Sequence, residues 1–218
     1  HAISASTARA ILDRFGRAAE IIPPGVDLAA YEGMRERADT AGTVAFVGTL
    51  DVHKGLDVLL EAVAGAAGSW RLLIVGDGPR RSTYEAMSRH LDLGHRVRVA
   101  GVITPERLPD TLRAVDVLAL PSRREALGMA AVEALAAGTP VVVTDLPGPA
   151  AIPDETCGSV VPVDDAAALA TALERWLDRA GDPDVAAAAR IRAKRFDSER
   201  LAAIALDSLR RVATGPPE

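Results

Sequence analysis

Short apolar runs closed by Gly, Pro, Asp or Ser recur along the chain, and between them lie stretches in which apolar residues return every three or four positions. The runs at 19–23 (AEIIP), 43–48 (TVAFVG), 71–76 (RLLIVG), 96–101 (RVRVAG), 116–121 (DVLALP), 140–145 (PVVVTD) and 159–163 (SVVPV) predict strands. Several are apolar on both faces, as strands inside a parallel sheet are. The helical spacing predicts helices over 7–15, 56–66, 80–90, 106–114, 127–137, 166–179 and most of 185–212. Pro79 suits an early helical position, and Asp164 or Asp165 can cap the helix that follows. Strands alternating with helices imply an α/β class: a Rossmann-like parallel sheet with helices on both faces. The stretch 31–42 is polar without a period and reads as a linker or surface loop, and the tail TGPPE should fray.

Composition narrows the function. A chain of 218 residues can bury one sizeable α/β core. Only 3% of its residues are aromatic and its net charge is -5, which counts against a nucleic-acid partner or an anionic membrane surface. The single cysteine, Cys157, cannot form an internal disulfide. There is no apolar run of the roughly 18–20 residues that a transmembrane helix needs, and no signal-peptide pattern at the start, so a cytoplasmic location is expected. The chain begins at His1, and HAISAS reads as the end of a strand turning into a helix, so a preceding segment is expected.

In an open α/β sheet the ligand lies beyond the carboxyl ends of the strands, so the loops there hold the candidate chemistry. After the strand at 116–121, Ser122 to Glu125 lead into a helix start where the amides of Ala126, Leu127, Gly128 and Met129 should face the crevice and attract a phosphate. Gly128 permits close approach of a ligand, or alternatively serves packing. Lys54, in HKG, precedes a helix whose dipole disfavours a cation, so an anion in the cleft would explain it, a solvated loop lysine being the alternative. The turn GDGP at 76–79 departs from G-x-G-x-x-G and reads as turn geometry. The chain lacks a Walker motif, a nucleophile elbow and a Cys/His metal set, and the D-x-D at Asp182 and Asp184 reads as a helix cap, so no metal is expected.

Glu125 and Glu133 flank this helix start. If one helix carried both, they would lie about 12 Å apart, room for a diphosphate between two hydroxyl-rich groups. A carboxylate accepts from adjacent hydroxyls, so one glutamate could read a hexose and the other a ribose. The alternative for Glu133 is a solvated helix position, at odds with its apolar neighbours Val132, Ala134, Leu135 and Ala136.

These segments carry a resemblance. SASTARAIL, IIPPGVD, FVGTLDVHKGLDVLLEA, LLIVGDGP, the long run from VRVAG to VVVTD and GSVVPVDDAAALATAL together resemble the carboxyl-terminal, donor-binding domain of GT-B fold glycosyltransferases, specifically the retaining glycosyltransferase family 4. The most specific element is E-x7-E followed by AAGTPVV. The resemblance implies that Lys54 neutralises the donor diphosphate, Glu125 holds sugar hydroxyls, Gly128 and Met129 offer amides, Glu133 holds the ribose, and Gly101, Val102 and Ile103 meet the base. It implies a UDP- or GDP-sugar donor, no cofactor and no metal. Family members commonly have an arginine where this chain has Thr49, which weakens the phosphate clamp or shifts it to Arg123 or Arg124. Pro24 stands where the family often has asparagine.

On that reading residues 1–30 are the end of a missing N-terminal acceptor domain and its linker, 31–180 the nucleotide-sugar domain, and 181–218 a C-terminal helix and tail. The expected function is hexosyl transfer with retention to an unknown acceptor, catalysis requiring the missing domain, through which the protein could also sit at the inner membrane face. The rival readings are a non-catalytic nucleotide-sugar binding module and a GT-B sugar-nucleotide epimerase.

Overall fold

The computed structural model describes residues 1–33 and 42–214, the side chains of 212–214 excepted. Six parallel strands form one sheet: β1 (Thr43–Val47), β2 (Arg71–Val75), β3 (Val97–Gly101), β4 (Val117–Leu120), β5 (Val141–Thr144) and β6 (Gly158–Val161), in the order β3-β2-β1-β4-β5-β6. The expected Rossmann-like α/β class is what the chain adopts. Register follows from pairs such as Phe46 with Ile74, Ala45 with Leu118, and Leu120 with Val143.

Side chains alternate across a strand, and the two faces of this sheet divide accordingly. Val44, Phe46, Leu72, Ile74, Val117, Ala119 and Val142 pack on one face beneath α2 (Leu56–Gly65), α3 (Arg81–His90) and α6 (Ala166–Leu177). Ala45, Leu118, Leu120, Val141 and Val143 pack on the other with α4 (Leu108–Ala114), α5 (Met129–Ala137) and α7 (Pro183–Ala193). The central strands β4 and β5 are buried throughout, whereas the edge strand β3 alternates between half-buried and exposed positions.

The order places β1 beside β4, with the chain running outward to β2 and β3 on one side and to β5 and β6 on the other. The loops after β1 and β4 therefore leave toward opposite faces, into α2 and α5, and a crevice opens between them.

Several boundaries differ from expectation. Residues 19–23 form no sheet strand; Ile21 makes a single parallel bridge to Ala2. The fifth helix begins at Met129, two residues after the expected start at 127, because Gly128 takes a left-handed conformation with φ 102°. The predicted helix over 185–212 is two helices, α7 and α8 (Ser198–Thr214), separated by a 3-10 turn at Lys194–Phe196. The break comes from pairing with the segment near Val26: its amide donates to the Phe196 carbonyl at 2.8 Å and its carbonyl accepts from Ser198 at 3.1 Å. Asp197 then caps α8 by accepting from the Arg200 amide at 2.8 Å. Pro79 precedes α3 and does not open it. Asp165 caps α6 through the Ala168 amide, and Asp182 caps α7 through the Asp184 amide, as its D-x-D was read.

The stretch 31–42 begins as structure: Tyr31 closes a 3-10 turn, Leu28–Tyr31, and is buried in the second core, while 34–41 lie outside the described residues. The segment after α1 (Ala5–Phe15) meets α8, where Glu20 takes a hydrogen bond from Ser208 and pairs with Arg211 at 3.4 Å. Among the described residues no helix is long and apolar enough to cross a membrane.

Leu135, fully buried where α5 packs between the sheet and α7, tests this core. Leu135→Ala is expected to lower unfolding free energy by about 2–5 kcal/mol in chemical denaturation, as cavity-forming substitutions do.

Candidate functional site at the switch between β1 and β4

The loop after β1 lies against two neighbours at once. On the β2 side, a Cβ on Gly76 would come within 1.9 Å of the Gly48 carbonyl oxygen, and one on Gly78 within 2.6 Å of that of Leu50. The glycines of GDGP thus serve close backbone packing, in keeping with the turn reading of that motif. The loop then forms a 3-10 turn, Val52–Lys54, and Gly55 follows at φ 67°. A Cβ on Gly55 would lie 2.0 Å from the Pro121 carbonyl oxygen at the end of β4.

Hydrogen bonds hold the two loops together. The His53 carbonyl accepts from the Arg123 amide at 2.8 Å and the Arg124 amide at 3.2 Å. The Arg123 guanidinium grips both oxygens of Asp57 at 2.8 Å, donates to the Val52 carbonyl at 2.8 Å, and reaches Asp164 at 2.6 Å. Burial alone would raise the Asp57 carboxyl, but its hydrogen bonds from Arg123 outweigh that and hold it below the usual carboxylate range. The same bonds, those accepted by Asp57 first, raise Arg123 further above its ordinary value.

This clamp brings together two of the residues singled out from the sequence. The Lys54 ammonium meets Glu125 at 2.6 Å across 71 positions of chain, and the other Glu125 oxygen accepts from the Ala126 amide at 3.1 Å. Both side chains keep partial exposure, 20% for Lys54 and 15% for Glu125, so the pair stands at the lip of the crevice. Beside it begins α5, whose first amides lack intrahelical acceptors and carry the positive end of the helix dipole.

The remaining candidates distribute around this centre. Gly128 is buried, and its missing Cβ would meet Leu120 at 2.6 Å, so its backbone angle and packing against β4 require glycine and the space lies inward. Leu127 is also buried, while Ala126 and Met129 are half-buried. Arg123 is turned to Asp57 and Asp164, away from the role of a replacement phosphate cation; Arg124 is exposed. Thr49 is exposed in the β1 loop. Gly101 ends β3 with φ 73° and accepts from the Gly76 amide at 2.8 Å, Val102 beyond it is 76% exposed, and Ile103 is half-buried. These three sit at the same carboxyl edge of the sheet.

Glu133 lies one turn inside α5 and is half-buried, and Tyr31 packs into the core beside this helix. Glu125 precedes the helix, so the spacing derived for one helix carrying both glutamates does not apply. Burial pushes the Glu133 carboxyl up, with Tyr31 opposing, and burial together with Glu133 raises Tyr31 well above the usual phenol range. Sequence reasoning missed Tyr31, Asp57 and Asp164. The cap Asp27, which accepts from the Ala29 amide at 3.1 Å, was a legible sign that 28–31 is a turn and not a linker. Cys157 is buried and burial raises its thiol, the opposite of an activated nucleophile. Among the described residues no cluster of three His, Cys, Asp or Glu could hold a metal ion.

In this doubly wound α/β domain a cation, a carboxylate and a helix start converge at the switch point of the sheet, the place where open α/β folds bind their ligands. Residues 34–195 match the family described as glycosyl transferases group 1, and the chain belongs to that family. Similar sequences include the D-inositol 3-phosphate glycosyltransferase of Xylanimonas cellulosilytica, 34% identical over 207 residues, covering 86% of this chain and 50% of that protein. The enzyme of the same name from Corynebacterium diphtheriae is 39% identical over 146 residues, 62% of this chain and 34% of that protein. The chain thus spans about half the length, or less, of these relatives. Among solved structures, sucrose-phosphate synthase from Thermosynechococcus elongatus superposes with TM-score 0.82 at 29% identity, over 97% of this chain and 58% of that one. HepE of Anabaena, solved with UDP and glucose, superposes with TM-score 0.83 at 21% identity, over 95% of this chain and 62% of that one.

Two predictions follow from the packing. Gly55→Ala should separate the two loops and lower the melting temperature by several degrees, measured by thermal denaturation, since a Cβ there meets backbone at left-handed φ. For Glu133 the folded-state carboxyl is raised, so ionising it opposes folding, and the penalty grows as pH climbs above the unfolded carboxyl range. Glu133→Gln is therefore expected to melt higher than the parent at pH 7, with the gap closing toward pH 4.

Proposed function

We propose that the chain is the donor-binding half of a family 4 hexosyltransferase, in the carboxyl-terminal position of a GT-B fold, which takes a UDP- or GDP-sugar and transfers the sugar with retention to an acceptor held by another domain. The observation that carries this reading is the Lys54–Glu125 pair beside the start of α5. A diphosphate at that helix start competes with Glu125 for the Lys54 ammonium, and the released carboxylate is left to accept from sugar hydroxyls. In the reaction the bond from the anomeric carbon to the diphosphate breaks, a bond to the acceptor oxygen forms, and the acceptor's proton passes to the departing diphosphate. Charge developing on that diphosphate is stabilised by Lys54 and the α5 amides, with no metal required. Glu133 then takes the ribose and the segment at Val102 the base.

The exposed apolar residues Ile3, Leu12, Phe15, Ile21, Leu206 and Leu209 on and around α1 and α8 support an acceptor domain packed there, as does the greater length of the relatives. A second reading, a nucleotide-sugar binding module without turnover, is favoured by the engagement of Arg123 with Asp57 and Asp164, which leaves Arg124 to replace the charge that Thr49 does not supply.

Titration calorimetry with UDP, GDP and their hexose conjugates tests the donor site. Lys54→Ala is expected to weaken nucleoside diphosphate binding by about 10–100-fold, the effect of a lost charged hydrogen bond. Glu125→Ala should bind free diphosphate at least as tightly as the parent while discriminating less among sugars. Loss of diphosphate affinity in Glu125→Ala would contradict the competition, and donor binding without turnover by the full-length gene product would select the binding-module reading.

A further inference from the structure

A cavity of about 380 Å³ lies against Leu127, on the loop that leads into α5, and neither Lys54 nor Glu125 lines it. Its walls come from separate stretches of chain that backbone contacts hold together. The Ala2 amide donates to the Glu20 carbonyl at 2.9 Å and the Ile22 amide to that of Ala2 at 2.8 Å, which joins the start of the chain to the segment after α1. Val26 is paired with the α7–α8 junction at Phe196 and Ser198, and a Cβ on Gly148 would lie 1.9 Å from the Ala126 carbonyl oxygen. The fold therefore sets the cavity before any ligand arrives, and its size falls within the roughly 300–1,000 Å³ of small-molecule sites. Ile3, Ile21, Leu127, Phe196 and Leu201 make the lining apolar, and Ser4 spends its hydroxyl on the cap of α1, accepting from the Thr7 amide at 3.3 Å. The charged lining residues are Arg195 and Arg200, both exposed. Neither guanidinium has a hydrogen bond or ion pair among the described residues. Arg190 and Arg192, just before them in α7, are by contrast taken by the carbonyl oxygens of Ala137 and Ile152. Asp197, between the two arginines in sequence, has its carboxylate on the Arg200 amide at 2.8 Å.

We infer that this cavity is a second ligand site, which takes a phosphate monoester carried on an apolar stem: Arg195 and Arg200 hold the phosphate and the cavity buries the stem. Two guanidiniums without partners beside an otherwise apolar cavity, in a chain of net charge -5, mark a local site for an anion. A phosphate monoester carries nearly two negative charges at neutral pH and so matches the pair, whereas a carboxylate carries one. The planar fork of arginine also suits the phosphate oxygens, which it can meet through two bonds. Apolar walls offer nothing to a bare phosphate, and an apolar stem is what they do accommodate. The inference goes beyond the donor-site reading and does not depend on it, since the nucleoside diphosphate would lie at Lys54 and the start of α5.

Titration calorimetry on the 218-residue chain tests this with octyl phosphate below its micelle-forming concentration, and with octanol, octanoate and inorganic phosphate. Octyl phosphate is expected to bind at least about tenfold more tightly than each of the others, because it alone supplies both the phosphate and the stem. Arg195→Ala and Arg200→Ala should each weaken it by about tenfold, as loss of a charged hydrogen bond does. Their melting temperatures should match the parent's, since both side chains are exposed and without a partner among the described residues. UDP and GDP should bind these variants as they bind the parent, and a saturating amount of either should leave octyl phosphate in place. Displacement by them would put octyl phosphate in the donor crevice, which overturns the inference and leaves the donor-site reading standing. Inorganic phosphate or octanol bound as tightly as octyl phosphate, octanoate bound as tightly, or undiminished binding by both arginine variants would each overturn it as well. If the chain binds octyl phosphate through the two arginines yet binds neither UDP nor GDP, the donor-site reading falls and this inference stands.

Discussion

The approach of two loops to within backbone contact organises this molecule. β1 and β4 are neighbours in the sheet although two strands and three helices separate them in the chain, and their loops must diverge to opposite faces. They stay together because Gly55 has no Cβ to meet the Pro121 carbonyl and because the His53 carbonyl takes two amides from the other loop. The contact is backbone on backbone, so it fixes the position of every side chain that leaves either loop. Lys54 and Glu125 meet as a consequence of it, and Arg123 between Asp57 and Asp164 reinforces it.

Charge is distributed around this contact with some separation of duties. Arg123 is consumed by two carboxylates and serves the scaffold; Lys54 has one carboxylate partner among the described residues and stands partly open. Arginine suits the first task, because its planar fork binds a carboxylate through two bonds, and lysine the second, because a compact ammonium can exchange one anion for another. The two basic side chains nearest the crevice are therefore not equivalent.

Much of this was legible in the sequence, and the reasons are local. Strands β1, β2, β4 and β5 announce themselves because burial on both faces leaves unbroken apolar runs, as in VLAL and VVVT. Lys54 was legible because a cation at a helix start is awkward without an anion, and Glu125 because it stands with Glu133 about the next helix start. What escaped is long-range. Nothing in AEIIP says that it will bridge Ala2 alone, or in ALGM that Gly128 will turn its vacant side toward Leu120. The break between α7 and α8 depends on Val26, far away in sequence, although the Asp197-Ser198-Glu199 start signal was present. Tyr31 was hidden because a polar neighbourhood made a buried turn look like a linker, and Arg123 because spacing along one chain says nothing of which acids will face it.

The unequal burial of the strands sets how freely different parts of the crevice can vary. β4 and β5 are enclosed throughout, and the loop leaving β4 is held by backbone contacts with the β1 and β5 loops, so a substitution there disturbs packing before it alters recognition. At the far edge, β3 is half open and Val102 projects almost unencumbered beyond it. The crevice thus combines a conservative centre with a permissive margin: side chains at the margin can be exchanged almost independently of the fold, and diversity of ligand preference among chains of this architecture can accumulate there first.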